Sequence, residues 1–206
     1  MREARRQKNI KEADVPSVCL LDPDGDLVRH LRRTGRAKPF EGWPCYHTEL
    51  DVFCLAGRDV GIVGRAVGAS FAVLVAEELF ASGCRLLISL TSSGQIVASG
   101  PPPYFIIIDR ALRDEGTSYH YAPPSEYASA CPQLLAAAVE AAKRDGPRTI
   151  SGSTWTTDAP FRETSEAIQA AADKGILAVE MEAAALYAFA MATGCKVLCL
   201  AHVTNT

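Results

Sequence analysis

The sequence predicts one α/β domain built on a mixed or parallel sheet, and three observations predict it. Short apolar runs alternate with stretches of helical periodicity from about Val18 onward. No internal repeat, low-complexity tract or linker divides the chain, so its 206 residues fit one unit. Hydrophobic residues make up 48%, enough for one substantial core and too many for a disordered chain.

Taken in order, residues 17–21 read as a strand and 26–33 as a short helix. Residues 51–55 and 60–63 are strands joined at Gly57. Ser70 opens a helix whose Phe71, Leu74, Val75 and Leu79 share one face, and Gly83 ends it. Residues 85–90 form a buried strand and 104–109 another, with Pro101, Pro102 and Pro103 a stiff loop between them. Pro132 suits a first helical turn, where its missing N–H costs nothing, and Gly146 stands past that helix. Residues 149–155 are a strand, 165–173 a helix stopped at Gly175, and 176–179 a strand. Residues 182–193 form an alanine-rich helix stopped at Gly194, and 196–203 the last strand. The sequence stops at Thr206 just after that strand, where a closing helix is expected. Residues 1–16, with Arg2, Arg5, Arg6, Lys8 and Lys11, read as a solvated tail, and 17–206 as the folded domain.

A net charge of -3 gives no sign of a nucleic-acid partner. No run approaches the ~20 apolar residues of a membrane span, and no apolar run follows the N-terminal charges as it does in a signal peptide. The seven cysteines, at 19, 45, 54, 84, 131, 195 and 199, are odd in number and make no CxxC pair. They read as buried thiols in a reducing, cytoplasmic compartment, with no disulfide and no metal.

The segment Val179-Glu180-Met181-Glu182-Ala183-Ala184-Ala185 is the strongest candidate for chemistry. Two carboxylates two residues apart share one face of an extended backbone. They stand where a strand gives way to a helix, at the strand's carboxyl end, where open α/β sheets place ligands. The helix dipole alone favours a carboxylate in that first turn. A carboxylate there also suits a sugar diol, from which it accepts two charge-assisted hydrogen bonds.

The run from Ala178 to Tyr187, AVEMEAAALY, resembles the signature of the family of purine nucleoside phosphorylases, uridine phosphorylases and methylthioadenosine nucleosidases. Four more segments appear in family order. Gly25-Asp26-Leu27-Val28-Arg29 resembles its glycine–arginine phosphate loop, and Val63-Gly64-Arg65-Ala66-Val67-Gly68 its glycine-rich strand end. Ser92-Ser93-Gly94 resembles its serine–glycine turn, and Arg113-Asp114-Glu115-Gly116-Thr117-Ser118 the loop after the next strand. The resemblance runs from about Val18 to Thr206. It implies a phosphorylase/hydrolase-like single domain, with a mixed, twisted, partly barrel-like sheet flanked by helices.

The resemblance also implies roles. Glu182 would hold the ribose 2′- and 3′-hydroxyls, with Met181 beneath the sugar and Glu180 beside it. Gly25, Arg29 and Ser92 would face phosphate. Trp155 stands where the family stacks an aromatic on the base, with a core aromatic as the alternative. Arg162, with Glu163, would read a base edge or form a surface ion pair of little energetic weight. Asn205 replaces the aspartate that protonates a leaving 6-aminopurine. An amide accepts from a ring N–H or donates to a carbonyl, which suits a 6-oxopurine or a pyrimidine.

Two departures matter. Ser89 stands where phosphorylases place an arginine, and Tyr46 or His47 near where some members donate a second arginine across a subunit interface. Arg65 would compensate if its side chain turned inward. The nucleosidase branch has a water-activating glutamate near the first loop, for which Asp22, Asp24 or Asp26 would stand in. His120 and His202 are the remaining titratable candidates, His202 in a structural role and His120 near a neighbouring subunit. The implied activity is phosphate-dependent cleavage of a ribonucleoside, with Arg29 and Asn205 as catalytic groups. Inorganic phosphate would be the co-substrate, with no cofactor, in a homodimer or a hexamer of dimers. The alternatives are a hydrolytic nucleosidase of the same fold and a nucleoside binder that has lost its phosphate cage.

Overall fold

The apolar runs of the sequence become strands of one sheet. They are β1 (Val18–Asp22), β2 (Ala37–Pro39), β3 (Leu50–Leu55), β4 (Arg58–Gly64), β5 (Leu86–Gln95), β6 (Tyr104–Asp114), β7 (Tyr127–Ser129), β8 (Thr149–Thr157), β9 (Ala178–Glu180) and β10 (Val197–Asn205). The helices between them are α1 (Asp26–Arg33), α2 (Ala69–Ala81), α3 (Pro132–Ala142), α4 (Ser165–Asp173) and α5 (Ala183–Thr193). The computed structural model describes residues 6–7, 13–144 and 146–205, the last by its backbone alone. Of the expected N-terminal tail, Arg2, Arg5, Lys8 and Lys11 lie outside the described residues.

The strand order is β10-β6-β8-β9-β5-β1-β4-β3-β2, with β7 added on β6. Because β10 also pairs with β5, the strands β5, β10, β6, β8 and β9 close on themselves, and β1, β4, β3 and β2 run off as an open wing. The ten-residue β5 is the joint. It pairs in parallel with β1 from Val18↔Leu86 to Leu21↔Ser89, and antiparallel with β9 at its far end. The sheet is thus mixed and partly closed, with helices against it, as the resemblance implies.

Alanine lets α5 lie close on that sheet. Every residue from Ala183 to Phe189 is buried, and small side chains give close approach without strain. Tyr187 fixes its angle: the phenol donates to the Ile108 carbonyl at 2.6 Å and accepts from the Cys199 N–H at 3.0 Å. That one hydroxyl ties α5 to both β6 and β10.

Three expectations change. β2 and β7 have three residues each, too few to show a period of two. β5 runs past Leu90 through Thr91, Ser92, Ser93 and Gly94 to Gln95, and β6 runs to Asp114. Apolar content marks a strand only while its faces are buried in hydrocarbon, and the far end of β5 presents polar groups to one another. Cys54 and Cys131 are exposed rather than buried, Cys54 near the end of β3 and Cys131 at the N-cap of α3. Among the described residues, no helix is long and apolar enough to cross a membrane.

Candidate active site

β1, β4, β5 and β10 run parallel, so their carboxyl ends open on one side of the sheet. β1 leads into the turn Asp22–Gly25, β4 into Arg65–Gly68, and β5 ends in its polar segment. The Asp22 carbonyl joins the first two, accepting from the Gly25 N–H at 2.9 Å and the Arg65 N–H at 3.1 Å. Gly25 has φ +76°, and a Cβ there would stand 2.8 Å from Arg65 Cγ. Only glycine fits both demands. Arg65 itself sits at φ +65°, a left-handed conformation that costs an L-residue of this kind roughly 1–2 kcal/mol. The strain aims its side chain at Gly25. A cleft of about 460 Å³ opens here, lined by Gly25, Arg29, Arg32, Arg65, Tyr46 and His47 among others. The structure thus brings Gly25 and Arg29 together with Arg65, and places Tyr46 and His47 across the same cleft.

The acidic residues of the turn are all engaged. Asp22 is buried and accepts from the Val28 N–H at 2.9 Å. Burial pushes its carboxyl upward, that hydrogen bond opposes the push, and the charges of Asp24 and Asp26 add to it. Asp26 pairs with Arg29. Asp24 reaches Ser92, whose N–H donates to Oδ2 at 2.9 Å and whose hydroxyl donates to Oδ1 at 3.0 Å. Ser89 is buried behind this point and its Oγ has no hydrogen-bond partner.

Glu182 and Glu180 have different surroundings. Glu182 is 1% exposed. It accepts from the Gly68 N–H at 2.7 Å and the Thr91 hydroxyl at 2.9 Å. Each oxygen therefore has one lone pair committed and one left. Burial first, and then the charge of Glu180, push its carboxyl up to about 7. The Asp24 charge acts in the same direction, so the two acids share one region. Glu180 is fully engaged. Oε1 accepts from the hydroxyls of Thr154 and Thr156, and Oε2 from the N–H groups of Glu182 and Ala183, both at 2.7 Å. The sequence expectation put Glu180 beside the sugar. In the structure it accepts from the amides that open α5, at the helix end where the dipole favours a negative charge. Burial pushes Glu180 upward as well. The four donors aimed at Glu180 favour its charged form and oppose that push.

The remaining candidates are spread around this centre. Met181 is half-buried between the two glutamates. Arg113 is buried and donates to Ser118, Ser125 and the carbonyls of Ala122 and Pro123, so it organises the loop after β6 rather than meeting a ligand. The Gly116 N–H donates to Asp158 at 2.9 Å, joining that loop to the one after β8. Trp155 packs in a core cluster with Ala171, Ile176 and Val179, and its indole N–H donates to Asp114 at 3.0 Å. It does not line the cleft of Gly25 and Arg29. Six residues on, Phe161 is fully exposed in the 3-10 turn Pro160–Arg162, with Arg162 exposed beside it. Sequence reading passed over Phe161. A phenylalanine in a polar loop, just after an Asp-Ala-Pro turn, was the signal available. β8 is parallel to β9 with Thr156 opposite Glu180, so Phe161 follows from the sheet end that carries the glutamates. His202 is half-buried and stacks on Phe105 at 4.5 Å between ring centroids, and His120 is exposed beside Tyr121 and α2. The backbone of Asn205 pairs with Gly94 at the end of β5, and its side chain lies outside the described residues.

Comparison with known proteins bears on the family and the fold. Residues 18–206 match the family model described as the phosphorylase superfamily. A DeoD-type purine nucleoside phosphorylase of Bacillus cereus is 30% identical over 201 residues, covering 95% of this chain and 84% of that protein. The corresponding protein of Bacillus thuringiensis (strain Al Hakam) is 29% identical over a span of the same length. In structure, the chain superposes on uridine phosphorylase from Vibrio fischeri ES114 with a TM-score of 0.82 at 21% identity, over 95% of this chain and 81% of that one. The match over nearly the whole chain places this protein in the phosphorylase superfamily, the family of the nucleoside phosphorylases.

Proposed function

We propose that residues 17–206 form a nucleoside phosphorylase that cleaves a ribonucleoside with inorganic phosphate, giving free base and ribose 1-phosphate. The substrates are 6-oxopurine nucleosides or uridine, no cofactor is used, and the enzyme works in the cytoplasm. The observation that carries the reading is Glu182. A buried carboxylate with two uncommitted lone pairs, held by the Gly68 end of the segment whose Arg65 lines the arginine cleft, suits a sugar diol next to an oxyanion. The ribose 2′- and 3′-hydroxyls donate to Glu182, entering where the Gly68 segment covers it, and Met181 packs under the ring. Phosphate sits on Gly25, Arg29 and Ser92, with Arg65 supplying the charge that Ser89 lacks. Phe161 rather than Trp155 stacks on the base, and Arg162 reaches its edge.

The chemistry is carried by placement. As the C1′–N bond breaks, its electron pair leaves with the base and positive charge builds on the sugar. A phosphate oxygen beside C1′ stabilises that charge and then forms the new C1′–O bond. The protein holds the two reactants in line and neutralises the anion. Hydrolysis is the second reading, favoured by one observation: the carboxylate of Asp24 already lies on Ser92. A nucleoside panel with and without phosphate separates the two. Ribose 1-phosphate formed only with phosphate is expected, and free ribose at the same rate without phosphate would refute the reading.

The base assignment rests on Asn205. A leaving purine gains from a proton at N7, and such general-acid help is worth about 10²–10⁴-fold. An amide cannot supply that proton, and adenosine depends on it most. Uridine, inosine or guanosine should therefore turn over at least about tenfold faster than adenosine, with Asn205→Asp narrowing the gap. Adenosine or methylthioadenosine as the best substrate would overturn the assignment.

The assembly we propose is a homodimer or a hexamer of dimers, in which a neighbour's residues complete the cleft at Tyr46 and His47. Light scattering at assay concentration should give a mass at least twice that of the chain. An active monomer would rule this out.

A further inference from the structure

We propose that Asp24 is a resident stand-in for the anionic co-substrate, and that it sets how tightly the cleft binds phosphate. The inference rests on the phosphorylase reading. An oxyanion bound at the end of β5 needs the Ser92 N–H and hydroxyl as donors. Both already point at the two carboxylate oxygens of Asp24, at 2.9 and 3.0 Å. Two oxygens on one carbon, each with a single negative-end contact, reproduce two oxygens of a phosphate on the same pair of donors.

The rest of the turn follows the same pattern. The Val28 N–H in the first turn of α1 is taken by Asp22, and the guanidinium of Arg29 by Asp26. Ser89, where an arginine would offset these charges, has only an unpartnered hydroxyl. Of the three acids, Asp22 is buried and holds α1 in place, and Asp26 is one helical turn from Arg29 on the same helix. Asp24 alone crosses from the β1 turn to the β5 end, over a separation of 68 residues, and it is exposed. It can leave without unpacking anything. Phosphate binding is then an exchange of one anion for another. The dianion must displace Asp24 and tolerate its charge nearby, so affinity is lower than the bare donors would give.

The test measures inorganic phosphate binding by calorimetry, without nucleoside, at fixed pH and ionic strength. Asp24→Ala frees both Ser92 donors and removes the charge, and should bind phosphate at least about tenfold more tightly than the unaltered protein. Asp24→Asn keeps an acceptor for Ser92 but no charge, and should fall between the two. Unchanged or weaker phosphate binding in both variants would overturn the proposal. So would loss of phosphate-independent ribose release in Asp24→Ala with no gain in phosphate affinity, because Asp24 would then be a base for water. Failure of the function is separable. Tighter phosphate binding without phosphorolysis leaves Asp24 in place and removes the phosphorylase reading. Phosphorolysis with an unmoved phosphate affinity does the reverse.

Discussion

Glu182→Gln is expected to lower kcat/KM for a ribonucleoside by roughly tenfold to a hundredfold, the cost of a charge-assisted contact. The change is nearly isosteric, and an amide oxygen still accepts from Gly68 or Thr91, so the fold should hold. The same residue fixes a pH dependence. Its carboxyl is raised from the ordinary 4.5 to about 7 by burial and by Glu180. Above that pH it is an anion and grips hydroxyls best, so kcat/KM should rise through pH 7 and lose this limb in Glu182→Gln. Stability runs the other way. Between 4.5 and 7 the folded protein holds a proton that the unfolded chain has released, so stability present below 4.5 is lost as pH rises through 7. The amount is about 3 kcal/mol. A midpoint of urea unfolding that falls from pH 5 to pH 8, and flattens in Glu182→Gln, would be the signature. Full turnover by the variant would remove Glu182 from the site.

Glu180→Ala should be the most destabilising change at the junction, at roughly 3–5 kcal/mol. Four donors lose their acceptor together: two threonine hydroxyls inside β8 and the first two amides at the start of α5. Neither water nor another side chain replaces it, because the site is buried. Thr156 also accepts from the Ala184 N–H at 2.9 Å, so the disturbance reaches the next turn. In a chain of this size the melting midpoint should drop by about 10 °C. A loss under about 1 kcal/mol in urea titration would show that the four contacts are not cooperative. The contrast with Glu182 is the sharper check: one glutamate should mainly move activity, its neighbour mainly stability.

Much of this was legible in the sequence. Alternating apolar runs gave the α/β order because each strand and helix hides one face or both. The Glu-Met-Glu segment stood out as the candidate site because two carboxylates share one face at the carboxyl end of a strand, where open α/β sheets place ligands. The division of labour between them was not legible. It depends on Thr154, Thr156, Thr91 and Gly68, which come from other strands and loops. The polar end of β5 escaped for a related reason, since Thr91 and Ser92 look like loop until β10 and β9 pair with them. The resemblance implied Trp155 at the base, with a core aromatic as the alternative. In the structure Trp155 packs in the cluster with Ile176, and Phe161 is the exposed aromatic of the following turn. The contact of Asp24 with Ser92 joins two turns that no local pattern relates.

The closure of the sheet bears on how the protein is made. β10 fills the gap between β5 and β6, in parallel with one and antiparallel with the other. Leu87 cannot meet Val197 until all the residues between them have left the ribosome. Until then the growing chain carries two long strands with open edges, the kind of surface that recruits other chains. Such distant pairings also slow folding, because chain entropy is lost before the contacts form. The far end of β5, with Thr91 and Ser92, is sealed only when β10 pairs with it. Closure of the barrel therefore also completes the strand that carries the candidate residues Thr91 and Ser92.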